Sequence, residues 1–336
     1  MKKFLNDPKN FVDDMLDGIL YAHPDLLKKV GDDKRCIARA KKGENKVVLV
    51  SGGGSGHLPL FMGYVGEGLL DGCAVGGVFQ SPSADQWYQT AKAAESGKGV
   101  LFIYGNYTGD IMNYDMAKEM LEADDIRVDE VRGFDDVTSA PKGEEGKRRG
   151  VAGIFFVYKC AGAKAEEGAD FDAVKAVAEK AGRNVRTMGV ALSPCIIPEV
   201  GKPGFTIPEG EMEIGMGIHG EPGIRRGKLP TADEVVDEMM KPIIEDNPLA
   251  SGDEVAVLVN GLGATPKEEL YIIYRRIHEN LAKLGVKAVK VYAGEFATSM
   301  EMAGFSISVM KLDAELKGLL AKPCLTPFFE QRELSL

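Results

Sequence analysis

Histidine is scarce in this chain: His23, His57, His219 and His278 are all there are. A search for a catalytic imidazole therefore has few places to look. Two of the four sit among glycines. His57 follows Ser51-Gly-Gly-Gly-Ser-Gly56 and precedes Leu58-Pro59, while His219 lies in Gly215-Met-Gly-Ile-His-Gly-Glu-Pro-Gly223. A neutral imidazole is a nucleophile or proton carrier near neutral pH. A glycine-dense turn leaves little bulk around it, so His219 is expected to be exposed on a shaped loop. His23, before a proline, and His278, in a polar helical stretch, read as surface residues.

The glycine run follows a β-branched stretch at residues 46–50, which predicts a strand running into a glycine loop. Such a loop lets a ligand approach main-chain N–H groups. A phosphate cradle is one reading, but the Lys-Ser/Thr of a P-loop is missing, as is a GxGxxG fingerprint. A small polar ligand held by backbone groups, with His57 at its edge, fits better; a tight structural turn is the plain alternative. Asn106-Tyr-Thr-Gly-Asp110 follows a second strand at residues 100–104. Ligands of open α/β sheets sit at the carboxyl ends of strands, so Asp110 is either a carboxylate at the crevice mouth or the N-cap of a helix over 111–121.

Other polar clusters read as solvated faces, namely Lys147-Arg148-Arg149 and Glu221-Pro-Gly-Ile-Arg-Arg226. Cys36, Cys73, Cys160, Cys195 and Cys324 are scattered without a CxxC pair, which predicts reduced, buried thiols in a cytoplasmic protein. No histidine pair has metal-ligand spacing, so no metal site is expected. The net charge of −10 argues against a nucleic-acid partner. No apolar run approaches a membrane span.

The elements that must position these residues alternate. Strands are expected near 46–50, 74–79, 100–104, 126–131, 150–158, 185–192, 212–218, 254–260, 287–293 and 306–310. Helices are expected near 11–20, 84–95, 111–121, 233–244 and 267–284. The 336 residues suit about two domains. Residues 134–149 read as a surface excursion. The Pro- and Gly-rich stretch at 194–210 suggests a boundary. The expected fold is α/β, with two α/β domains and mixed or largely parallel sheets: residues 1–193 carry the glycine run and Asp110, and 194–336 carry His219.

Three motifs in order, Ser51-Gly-Gly-Gly-Ser-Gly-His57, Asn106-Tyr-Thr-Gly-Asp110 and Gly217-Ile-His-Gly-Glu-Pro-Gly223, with Arg148-Arg-Gly-Val-Ala-Gly153 between them, resemble the substrate-binding (DhaK) subunits of dihydroxyacetone kinases. The resemblance covers essentially the whole chain. It implies a homodimeric, ketone-binding kinase subunit of the cytoplasm. His219 would add to the substrate carbonyl as a hemiaminal, Asp110 would accept the proton of the hydroxyl to be phosphorylated, and His57 would hydrogen-bond the substrate and help proton transfer. Gly54, Ser55, Gly56 and Gly105 would complete the substrate site. No cofactor is expected on this chain; a DhaL-like subunit would bring Mg-ADP or Mg-ATP, and a phosphotransferase-system protein is a candidate phosphoryl donor.

Two residues depart from the family pattern. Leu58 stands where Glu is usual, and Gly105 where a substrate-contacting Lys is usual. Both imply a roomier, less polar pocket and bring an erythrulose kinase into consideration. A ketone-sensing transcriptional co-activator is the rival from another class.

Overall fold

In the computed structural model, which describes residues 2–336, two six-stranded sheets share a core built around one helix that has almost no exposed face. The first sheet has the order β1-β2-β4-β3-β5-β6, comprising β1 (Leu27–Lys29), β2 (Cys36–Arg39), β3 (Val48–Ser55), β4 (Gly72–Val78), β5 (Val100–Gly105) and β6 (Val128–Gly133). Strands β3 to β6 pair in parallel, while β1 and β2 form an antiparallel edge. The second sheet has the order β11-β10-β12-β7-β8-β9, comprising β7 (Val185–Ala191), β8 (Glu211–Ile214), β9 (Arg225–Lys228), β10 (Glu254–Gly261), β11 (Lys287–Gly294) and β12 (Gly304–Leu312). Only β10 and β11 are parallel in it. The central strands β5 and β10 are covered on two faces, which is why they read as continuous apolar runs. Alternation divides each strand between two cores. Val100, Phe102 and Tyr104 face the helices α2 (Ala84–Ala94) and α3 (Thr108–Ala123), while Leu101 and Ile103 face the shared centre. In β10, Val255, Val257 and Val259 face α6 (Ala232–Asp246) and α7 (Lys267–Lys283), while Ala256 and Leu258 face that same centre.

The central helix corrects one expectation. Residues 150–158 were expected to form a strand, but α4 (Ile154–Glu166) is a helix buried from Ile154 to Cys160 on every side. A short apolar run does not distinguish a buried strand from a helix buried all round. Asp135 decides it locally: its carboxylate accepts the N–H groups of Val151 and Gly153 at 2.9 and 2.8 Å, just ahead of the helix. The remaining elements complete the cover: α1 (Phe11–Ala22), α5 (Phe171–Asn184), α8 (Ala314–Ala321), and the small hairpin of β13 (Cys324–Leu325) with β14 (Glu330–Gln331).

Residues 134–149 are not a simple surface excursion. Asp135, Asp136 and Arg148 are buried, and the segment stitches the sheets together, with Thr187 of β7 exchanging backbone hydrogen bonds with Asp135 and Val137. Because β7 belongs to the second sheet, the division between sheets falls between Gly133 and Val185, earlier than the expected 193/194 boundary. Arg148 also leaves the solvated face predicted for it. It holds Asp246 at the end of α6 with two hydrogen bonds of 2.9 and 2.6 Å, and Arg186 of β7 joins the same carboxylate. Lys147 stays exposed, paired only with Glu144.

Removing one member of a buried ion cluster strands the others. Asp246→Ala should therefore cost about 3–5 kcal/mol of folding stability, read by chemical denaturation. A loss under about 1 kcal/mol, the size of an exposed pair, would show that the cluster does not hold the seam.

Candidate active site

The glycine run is strand rather than loop. β3 continues through Ser55 because its glycines are packed from outside: a Cβ on Gly53 would lie 2.4 Å from the Phe61 ring, and one on Gly54 would lie 2.7 Å from the Gln80 backbone nitrogen. The Ser55 hydroxyl donates to the Gly76 carbonyl at 2.8 Å. These faces are filled by protein, so the run offers no phosphate cradle. What it does is deliver His57 to the carboxyl end of β3.

There the ring is buried and clamped. Nδ1 lies 2.8 Å from the Thr298 carbonyl. A carbonyl only accepts, so Nδ1 carries the proton and Nε2 presents a lone pair. Nε2 is buried with no partner in the protein. Burial, and then the charge of His219, pull the His57 pKa down to about 3, so the ring stays neutral. Two further bonds tie this segment to the turn after β11: the Thr298 N–H donates to the His57 carbonyl at 3.2 Å, and the Met300 N–H to the Gly56 carbonyl at 2.7 Å. Asn260 holds that turn from below, accepting the N–H groups of Phe296 and Ala297, each at 2.8 Å.

His219 arrives from the other sheet. β8 ends at Ile214, four residues short of the expected strand, and the turn that follows brings the His219 ring to 4.8 Å from the His57 ring, measured between centroids. Phe79 stacks on His57 at 4.8 Å, and Tyr107 meets His219 edge-on at 4.7 Å. The His219 side chain is about one quarter exposed, less open than its glycines suggested. Glu221 holds it: one carboxylate oxygen accepts Nδ1–H at 3.0 Å, and the other accepts the His219 backbone N–H at 2.9 Å. Burial opposes the Glu221 charge, but the hydrogen bond and charge of His219, with help from Arg149, outweigh it and bring its pKa to about 2. When the ring carries a single proton, the Glu221 carboxylate holds it on Nδ1 and leaves the lone pair on Nε2. Gly217 is required here, since a Cβ on it would lie 2.2 Å from the Glu221 carboxylate.

Asp110 completes the group. It lies in the first turn of α3, whose N-cap is Tyr107, so Asp110 is not the cap. It is buried, and its Oδ1 has no partner in the protein. Burial raises its pKa to about 6 against opposing contributions from a Ser81 hydrogen bond and the His219 charge. The His57 and His219 rings thus meet from two sheets, and Asp110 lies near enough to His219 for its charge to act on the carboxyl. Arg149 and Glu221, expected to be solvated, support them. Arg149 bonds Asp136 at 2.8 Å and the Gly215 carbonyl at 3.0 Å, steadying the turn that carries His219.

The two departures do not open the pocket as expected. Leu58 packs against the central core. A Cβ on Gly105 would lie 2.8 Å from Cε2 of Tyr107, so the Tyr107 ring already fills that space. Among the described residues, no group of three or more His, Cys, Asp or Glu is arranged to hold a metal ion. No helix of the described chain is long and apolar enough to cross a membrane. All five cysteines are free and buried.

Residues 17–328 match the Dak1 domain. The chain belongs to the Dak1 family. This Dak1 chain is 48% identical over 331 residues to the "PTS-dependent dihydroxyacetone kinase 2, dihydroxyacetone-binding subunit DhaK" of Listeria innocua, covering 98% of this chain and 99% of that protein. It is 44% identical over 331 residues to the "D-erythrulose kinase" of Mycolicibacterium smegmatis, covering 98% of this chain and 57% of that protein. The solved "Dihydroxyacetone kinase operon co-activator Dha-DhaQ" superposes with a TM-score of 0.87 at 30% identity, covering 93% of this chain and 96% of the other. The dihydroxyacetone kinase of C. freundii, solved with AMP-PNP and Mg2+, superposes with a TM-score of 0.87 at 30% identity over 100% of this chain and 63% of that one.

The raised pKa of Asp110 makes this Dak1 site a cost to folding at neutral pH. The folded chain binds the Asp110 proton more tightly than the unfolded chain, whose carboxyl titrates near 3.8. The stability this group contributes is therefore present below pH 3.8 and lost as pH rises through about 6. Asp110→Asn should gain stability relative to the parent between pH 4 and pH 8, by up to about 3 kcal/mol. Denaturation midpoints for both proteins across that range check it; a difference independent of pH would contradict the raised pKa.

Proposed function

We propose that this chain is the substrate-binding subunit of a dihydroxyacetone kinase, holding a short-chain ketose through His219 for phosphorylation of its terminal hydroxyl. The observation that carries the reading is a pair of buried, unpartnered acceptors, His57 Nε2 and Asp110 Oδ1, beside a histidine whose Nε2 lone pair is kept free. Bare buried acceptors cost free energy until a donor meets them. A ketone flanked by two hydroxyls brings two donors and one electrophilic carbon. Glycerol, with no electrophilic carbon, does not form the bond.

In the binding step the Nε2 lone pair of His219 forms a C–N bond to the ketone carbon. The π pair of the carbonyl moves to its oxygen, which takes up a proton. Positive charge builds on the ring as the C–N bond forms, and the ionised Glu221 on Nδ1 stabilises it; the ring then gives up one proton to solvent as the carbonyl oxygen takes one up. The result is a neutral hemiaminal. In the transfer step the terminal hydroxyl gives its proton to Asp110. A carboxylate with a pKa of about 6 is matched to a base role near neutrality, whereas His57 at about 3 is too weak a base and serves as a hydrogen-bond acceptor. Mg-ADP or Mg-ATP would arrive on a DhaL-like partner subunit. The near end-to-end match to a protein named as a PTS-dependent, dihydroxyacetone-binding subunit supports that division of labour, and a phosphotransferase-system protein as donor. A cytoplasmic homodimer completes the reading.

The same chemistry on erythrulose is the second reading, favoured by the 44% identity to an erythrulose kinase. A co-activator needs the ketone site but no base, and the bare, raised-pKa Asp110 favours the enzyme.

With carbonyl-labelled dihydroxyacetone, carbon NMR of the wild-type chain should show the ketone signal replaced by a tetrahedral carbon, and His219→Ala should abolish the change. Asp110→Asn should keep the adduct and lower turnover by roughly two or more orders of magnitude. Adding a DhaL-like subunit should be required for activity with ATP, and kcat/KM should fall as pH drops through about 6. Undiminished turnover by His219→Ala, or ATP-dependent kinase activity of the chain alone, would refute the assignment.

A further inference from the structure

Gly105 and Tyr107 form a single steric unit. Tyr107 folds back over the strand end that it follows. Its N–H donates to the Gly105 carbonyl at 2.9 Å, and its hydroxyl donates to the Gly150 carbonyl at 3.2 Å. The ring edge covers the face of Gly105: a Cβ there would meet Tyr107 Cε2 and Cδ2 at 2.8 and 2.9 Å. Real Cβ atoms do not approach that closely, so any side chain at 105 must displace the ring. The same ring meets the His219 imidazole edge-on, centroids 4.7 Å apart and planes 84° apart. Tyr107 is therefore wedged between a strand end without a side chain and the nucleophile.

We propose that Tyr107 is the specificity-determining wall of the ketose pocket, and that Gly105 is there to seat it. The proposal rests on the function given above and deepens it. A side chain missing at 105 would by itself enlarge the site and admit a four-carbon ketose. The ring occupies that volume instead, so the missing side chain adds no room beside His219. The wall is rigid for a physical reason: the hydroxyl is tied to Gly150, and the Gly150 carbonyl would itself lie 3.4 Å from a Cβ at 105. The ring has no room to swing away from His219 toward the strand. Size selection here comes from a residue two positions along from the one where the family departure lies, and a Lys restored at 105 would move the wall rather than add a contact.

The test measures binding of dihydroxyacetone and of each erythrulose enantiomer to the isolated chain by calorimetry. It measures kcat/KM for the same ketoses after addition of a DhaL-like subunit. Wild type should favour dihydroxyacetone by tenfold or more in both assays. Tyr107→Phe keeps the ring but frees it from Gly150, and should shift that ratio less than Tyr107→Ala does. Tyr107→Ala should shift the ratio toward erythrulose by at least tenfold, through KM more than kcat. Gly105→Ala should push the ring toward His219 and weaken binding of every ketose, erythrulose no less than dihydroxyacetone. A Tyr107→Ala ratio within threefold of wild type, or a Tyr107→Phe change as large as that of Tyr107→Ala, would overturn the proposal. Should wild type bind ketoses but phosphorylate none, the kinase reading fails while the binding ratios still decide the wall.

Discussion

The Thr298 carbonyl is the contact on which the chemistry at His57 depends. It comes from the second sheet's side of the molecule, yet it sets the tautomer of a histidine carried by the first. With Nδ1–H committed to it, Nε2 has only a lone pair to offer, and burial keeps the ring neutral. The backbone bonds on either side, from Thr298 to His57 and from Met300 to Gly56, make the clamp a short stretch of paired chain rather than a single bond. Asn260, buried beneath the turn, uses its amide oxygen and nitrogen to hold it. The site therefore exists only when the two halves are docked, and the Arg148–Asp246–Arg186 cluster and the Asp135–Val137 strap serve that docking.

Backbone strain gathers at the same place. Phe61, Phe79 and Met300 all adopt left-handed conformations, with φ of 66°, 57° and 52°. For bulky residues such conformations cost of order 1–3 kcal/mol each and persist where the surroundings impose them. Phe61 packs on Gly53, Phe79 stacks on His57, and Met300 reaches over Gly56. The glycines of the run permit these approaches. Their role is to let large side chains close around an imidazole and keep water from its lone pair, which is a different service from cradling a ligand with N–H groups.

Charge is arranged so that the three working groups differ. Two imidazoles lie with ring centroids 4.8 Å apart. One is held by a carbonyl in an apolar box and the other by an ionised carboxylate. The carbonyl gives only orientation. The carboxylate adds a negative charge beside Nδ1 of the ring. Asp110, buried without a full set of donors, is left basic enough to take a proton near neutral pH. Similar residue types are thus driven to separate roles by what surrounds them.

Much was legible from residue types and periods. The alternation of strands and helices, the ordered glycine–histidine and Asn106–Asp110 motifs, and a charge and hydropathy pattern without a membrane span follow from chain-local physics: side-chain period, turn chemistry and the conformations open to glycine. The family resemblance rested on those same motifs. What the chain could not disclose was anything depending on a partner distant in sequence. The helical state of 154–166 turned on Asp135 and on burial from every side, conditions invisible to a periodicity argument. Arg148 looked like an ordinary surface charge because its partner, Asp246, lies 98 residues away and becomes a neighbour only once the sheets are packed, whereas Arg149 and Glu221 reach partners near in sequence, Asp136 and His219, through turns whose conformation the spacing does not reveal. The size of the space beside Gly105 depended on where the Tyr107 ring falls. Sequence specifies which groups are available; three-dimensional packing determines which lone pairs are left bare, because a tautomer and a pKa are set by the atoms in contact and not by the residues adjacent in the chain.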